Sequence, residues 1–112
     1  MPLARLPLCA AVVALLTCTA TMGAGAANPG TTTIVVARNF MFAPTSLTVK
    51  AGSTVTWTNK DEEPHTVVSE TGLFRSAAMD TNESFSYRFD TPGTYHYTCS
   101  IHPKMVGTIT VQ

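Results

Sequence analysis

Net charge is what this chain lacks. Seven Lys and Arg against seven Asp and Glu in 112 residues leave a formal net charge of zero. No basic stripe with interleaved aromatics appears, so nothing here suits nucleic acid or an anionic membrane surface. A Cys-x-x-Cys-His segment is missing, which removes covalent haem attachment. Beyond the first quarter there is no long apolar run, and helical periodicity is nearly absent. Cysteine is scarce as well: of three, Cys9 and Cys18 lie in that first quarter and Cys99 stands alone near the other end.

The first quarter reads as a secretory signal peptide, residues 1–26. Arg5 is the only charge before "LPLCAAVVALL", and "TATMGAGAA" supplies the small residues for cleavage after Ala24-Gly25-Ala26. A membrane anchor fits less well, because the run is shorter than the ~20 residues a spanning helix needs and Pro7 interrupts its start. Leu16 and Thr17 before Cys18 do not suit lipoprotein attachment. The expected destination is the periplasm, or the exterior of a cell without an outer membrane. Residues 27–112 then form one domain with six Lys and Arg, seven Asp and Glu, and Cys99 as its sole cysteine. Such a domain can form no internal disulfide, so the thiol must be buried and inert or occupied by a ligand.

Within 27–112, short runs rich in Thr, Val, Ile and aromatics alternate with Gly, Pro, Asn and Asp. The predicted fold is all-β, a Greek-key sandwich of about seven or eight strands. "TTTIVVARN", "SLTVK", "STVTWTN", "HTVVS", "SFSYRF", "TYHYTC" and "GTITV" are the predicted strands. Val55 and Trp57 point inward, and Phe85, Tyr87 and Phe89 share a face. The connection from about Glu70 to Asn82 is expected to hold a turn of helix.

The chemistry concentrates in "YTCSIHPKMVG", which sets Cys99, His102 and Met105 at intervals of three around Pro103. Thiolate, imidazole and thioether together suit a soft metal. Two histidines and a cysteine in a trigonal set with a long axial methionine make a copper electron-transfer site. Taken singly, Cys99 reads as a small buried hydrophobe and Met105 as core; the joint spacing changes that reading. The missing imidazole comes from His65 or His96. Strand parity sends His96 to the face opposite Cys99, so it is read as a surface histidine, whereas His65 follows the loop "NKDEEP" at a strand start. Zinc is a poorer match because a thioether suits it badly. A Cys99/His102 nucleophilic pair is the enzymatic alternative. Met41 and Met79 are read as packing residues, and Asp61 to Glu63 as a solvated turn or, less directly, a docking rim for a basic partner.

The segments "VKAGSTVTWTNKDEEPHTV" and "FDTPGTYHYTC", followed by the short Cys-x-x-His-x-x-Met loop, resemble the cupredoxins, the blue copper proteins, in their amicyanin and plastocyanin branch. The loop is tighter than the plastocyanin one and matches the amicyanin type. The resemblance covers nearly all of 27–112. It implies one type 1 copper ion cycling between Cu(II) and Cu(I), with His65, Cys99 and His102 equatorial and Met105 axial. It further implies a monomeric electron carrier, not an enzyme, that redox partner proteins meet transiently near His102, with no nucleic acid and no membrane span. The alternative is a periplasmic copper-binding protein for storage or delivery. Around the ligands stand Thr66, Ile101 and Pro103. Thr66 replaces the Asn that often follows the first ligand histidine in relatives. Ile101 replaces a Pro found two residues after the cysteine, restoring a backbone N–H beside the sulfur.

Overall fold

The computed structural model describes residues 31–112 and the single position Ala4; apart from that position, the predicted leader lies outside the described residues. Eight strands follow in order: β1 Thr32–Arg38, β2 Met41–Ala43, β3 Ser46–Val49, β4 Ser53–Asn59, β5 Val68–Ser69, β6 Ser84–Phe89, β7 Gly93–Thr98 and β8 Val106–Val111. They form two four-stranded sheets, β2-β1-β4-β6 and β3-β8-β7-β5. The chain changes sheets between β2 and β3 and returns at Ala51 and Gly52. That turn is held by the Gly52 N–H donating to Phe89 O at 2.7 Å, with Gly52 at φ 89°. Such switching makes β1 parallel to β4 and β3 parallel to β8, while the other pairs run antiparallel.

Alternation explains the core. Along β4, Val55 and Trp57 are fully buried, and Ile109 and Val111 of β8 and Phe89 of β6 meet them from the other strands. Trp57 sits at the centre, with ring centroids 5.3 Å from Tyr97, 5.7 Å from Phe74 and 5.8 Å from Phe85. Burial pushes the Tyr97 phenol up to about 12, with the Trp57 indole pulling the other way. Tyr97 therefore stays neutral.

Two local features depart from the sequence reading. The strand β2 was not separately foreseen. It pairs with β1 through the two-residue turn Asn39–Phe40, at φ 54° and 56°, a left-handed hairpin turn that usually announces itself by Asn-Gly. Here Phe40 occupies the second position, so the signal is absent. No helix forms between Glu70 and Asn82; Arg75 bridges Val68 and Met79 bridges His65. Phe74 and Ser76 are buried while Leu73 and Arg75 are exposed, a period of two that lays the segment along 65–69 as extended chain. The Ser69 N–H to Phe74 O and Ser76 N–H to Val67 O bonds, 2.9 and 2.8 Å, close it down.

Candidate metal centre

Strand β7 ends at Thr98 and delivers Cys99, fully buried, to one pole of the sandwich. The chain then makes a tight loop that closes on itself: the Cys99 N–H donates to Met105 O at 3.0 Å and the Met105 N–H to His102 O at 2.8 Å. Pro103 blocks helical continuation. Met105 is buried at the end of this loop and His102 is half-buried at its crest. From the other sheet's side comes His65, fully buried and paired through its backbone with Met79 at 3.1 and 2.8 Å. Met79, buried in the core as a packing residue, thus pairs through its backbone with the segment that carries His65.

Cys99, His65 and His102 converge. His65 Nδ1 lies 3.2 Å from His102 Nδ1, and Cys99 Sγ lies 3.9 Å from the first and 3.7 Å from the second. The point equidistant from these three atoms is about 2.1 Å from each, the length of a bond from imidazole nitrogen to a first-row metal. The donor triangle therefore fits one ion. Its chemistry is that of copper: a thiolate, two imidazoles and, on the same loop, a thioether.

The thiolate is prepared for this. Burial would raise the Cys99 thiol, but hydrogen bonds from the Thr66 N–H, the His102 side chain, and the Ile101 and His102 N–H groups bring it down to about 6. The Thr66 N–H reaches Sγ at 3.3 Å. Its hydroxyl oxygen accepts the Ser100 N–H at 2.8 Å and lies 2.8 Å from the Ser100 hydroxyl, so Thr66 ties the two ligand loops together. Ile101 turns its side chain outward, 47% exposed. Together with Pro103, Phe40, Lys104, Met105 and His102 it lines a shallow apolar hollow. Pro64, from the loop ahead of His65, does not line that hollow, whereas Phe40 does.

His96 lies on the outer face of β7, exposed, with Nδ1 3.0 Å from the Thr108 hydroxyl. Met41, read from the sequence as a packing residue, is instead 61% exposed. Glu62 and Glu63 are solvated as the sequence suggests, but Asp61 is not: its Oδ2 accepts His65 Nε2–H at 2.8 Å. Asn59, fully buried, was also missed; it donates to Glu63 O at 2.8 Å and Met79 O at 2.9 Å, shaping the loop that carries His65. An Asp four residues before a candidate ligand histidine was the available clue to the first. Only tertiary contacts reveal the second.

Known proteins share these features. The sequence profile of the cupredoxin-like domain matches residues 8–111. Amicyanin-alpha of Methylorubrum extorquens is 35% identical over 114 residues, covering 92% of this chain and 95% of the relative. A plastocyanin of Scenedesmus fuscus is 42% identical over 85 residues, covering 64% and 87%. Among solved structures, a Cu(I) form of an amicyanin variant aligns with TM-score 0.68 at 31% identity over 70% of this chain and 80% of that one. A purple cupredoxin of Nitrosopumilus maritimus gives 0.66 at 33% identity over 70% and 98%. With its eight-stranded sandwich and its Cys-His-His pole, the chain belongs to the cupredoxin-like family.

Proposed function

We propose that residues 27–112 are an exported electron carrier holding one type 1 copper ion through His65, Cys99, His102 and Met105. The observation that carries this reading is the donor triangle, sized for one ion and closed by buried protein on the Cys99 and His65 sides. When bound, copper supplies a one-electron couple between Cu(II) and Cu(I). The chain does the rest. Four protein donors leave no open position for a substrate, which speaks against an enzyme. The Cys99–Met105 loop and the β4–β5 connection are cross-tied by Thr66 and Ser100, so the donors move little when the charge of the centre changes. Small rearrangement makes transfer fast.

The electron's way in and out is the half-buried edge of His102. Around it Phe40 and Ile101 are each about half exposed, and Met41 and Val106, half exposed or more, line the adjoining hollow that shares Phe40; together they make an apolar patch suited to weak, brief encounters with redox proteins. A monomer suffices. The Arg5-to-Ala26 leader supports a periplasmic destination, and among the described residues no helix is long and apolar enough to cross a membrane. The storage or delivery reading predicts ready exchange of the metal. Incubating the copper-loaded protein with a strong chelator in both oxidation states separates the two: retention over many redox cycles is expected, and rapid transfer to the chelator would favour delivery.

The Ile101 N–H is among the groups that lower the pKa of the Cys99 thiol, and the potential is expected to depend on it. Withdrawing density from the Cys99 sulfur weakens its donation to copper(II) more than to copper(I). A hydrogen bond to a charged group is worth ~1.5 to 3 kcal/mol, and with about half of it differential, Ile101→Pro lowers the potential by roughly 30 to 70 mV. Ile101→Ala keeps the N–H and should leave the potential near that of the parent. Equal shifts in the two variants, read by redox titration, would assign the effect to side-chain packing.

A further inference from the structure

Asp61 is the one carboxylate that leaves the solvent and joins the pole. Its side chain is 12% exposed. Its main chain is anchored on both sides: the Asp61 N–H donates to Asn59 Oδ1 at 2.8 Å, and the Thr81 hydroxyl donates to Asp61 O at 2.7 Å. The carboxylate itself accepts three bonds, from the Asn39 N–H at 2.7 Å, the Phe40 N–H at 3.0 Å and His65 Nε2–H at 2.8 Å. Those donors come from two separate segments. Burial acts to raise its pKa, yet the Phe40 N–H, His65 and the Asn39 N–H outweigh it and hold the group below the usual carboxylate range.

Two consequences follow from the geometry. A carboxylate can only accept, so the proton of neutral His65 must reside on Nε2, leaving the Nδ1 lone pair aimed into the donor triangle. The same carboxylate clamps the left-handed Asn39–Phe40 turn, which an aromatic residue does not favour by itself. Clamped there, the Phe40 ring stands edge-on to both imidazoles, with centroids 5.5 Å from His65 and 5.0 Å from His102.

We propose that Asp61 is a positioning residue of the metal centre: it fixes the tautomer and ring orientation of His65 and, through Asn39 and Phe40, holds an aromatic cover across both histidines. It does not touch the metal position; it acts through His65 and through the turn. The negative charge and the hydrogen bond to Nε2–H both make the His65 imidazole a stronger donor, which favours the more highly charged oxidised centre.

The metal-related arm of the test rests on the copper reading; the other arm does not. In the metal-free protein, nitrogen-resolved NMR should show a single His65 tautomer with a slowly exchanging Nε2–H. Asp61→Ala should lose that protected proton and populate both tautomers, and Asp61→Asn, similar in shape, should weaken the protection. In the copper-loaded protein, Asp61→Ala should lower copper(II) affinity about 10- to 100-fold. The loss for copper(II) should exceed that for copper(I) by about tenfold, which raises the potential by about 59 mV for one electron. Glu62→Gln removes one charge from the same loop on an exposed side chain and should change none of these. A protected Nε2–H that persists in Asp61→Ala, or an unchanged copper(II)-to-copper(I) affinity ratio with only the melting temperature reduced, would overturn the proposal and leave Asp61 a turn-forming residue. Failure of the parent protein to bind copper with colour would instead sink the copper reading, while the NMR comparison still judges Asp61.

Discussion

Replacing Cys99 by serine abolishes the intense visible absorption expected of the copper-loaded protein and leaves the sandwich folded. The colour requires charge transfer from a thiolate, and a serine hydroxyl is neither soft nor ionised at neutral pH. Folding rests elsewhere. The apolar core from Val35 to Val111 is buried between the two sheets, each large side chain contributing roughly 1.5 to 3 kcal/mol. A serine oxygen can accept the Thr66 N–H that now reaches Sγ at 3.3 Å, so no donor is stranded and the cost to the metal-free fold should be about 1 kcal/mol. Circular dichroism and a denaturant midpoint check the fold; a visible spectrum checks the site. His96→Ala should keep full colour. Colour that depended on His96 and survived loss of His65 would overturn the ligand assignment.

Gly107→Ala should be among the most damaging single changes in the domain. Gly107 lies directly opposite Tyr97 in the β7–β8 register. A Cβ there would overlap the Tyr97 ring at Cζ and the hydroxyl. The ring cannot step aside, because it is fully buried between Trp57 and Phe42, the latter 4.9 Å away. Overpacking of this kind costs about 3 kcal/mol. Tyr97 is two residues from Cys99 and Gly107 two from Met105, so the distortion enters the metal loop from both ends. Gly72→Ala is the useful contrast: at φ +78° with nothing within 4 Å of the added carbon, it meets only backbone strain, about 1 kcal/mol. Tyr97→Leu in the Gly107→Ala background should recover part of the loss, since the two positions compete for one space. Equal denaturant midpoints for the two alanine variants would show that ring overlap is not what limits this strand.

The fold was legible where one face of a strand is dry. Val55 and Trp57 in β4, Phe85 to Phe89 in β6 and Ile109 and Val111 in β8 alternate because each inward position meets the opposite sheet, and alternation survives in the sequence. Strand β2 hid because its hairpin turn uses Asn39–Phe40 instead of Asn-Gly, and the turn is sustained from a distance by Asp61. The segment after Glu70 misled for a similar reason. Its backbone finds partners in Val67 and Ser69, a pairing that no local pattern of "TGLFRSAAMD" displays.

At the site, residue types and spacing along one loop announced Cys99, His102 and Met105, and the structure brings His65 to the first two. What stayed hidden were the groups whose roles depend on long-range neighbours. Asp61 sits in an acidic run and carries the composition of a solvated turn. Only the approach of Asn39, Phe40 and His65 turns it inward. Phe40 has no chemical signature at all, and its place across the two imidazoles follows from backbone geometry alone.

The most direct measurement is the visible absorption spectrum of purified residues 27–112 loaded with one equivalent of copper(II), followed through reduction and reoxidation. The account predicts an intense thiolate-to-copper band that bleaches with one electron and returns in full on reoxidation. A colourless or weakly absorbing copper(II) complex would contradict it.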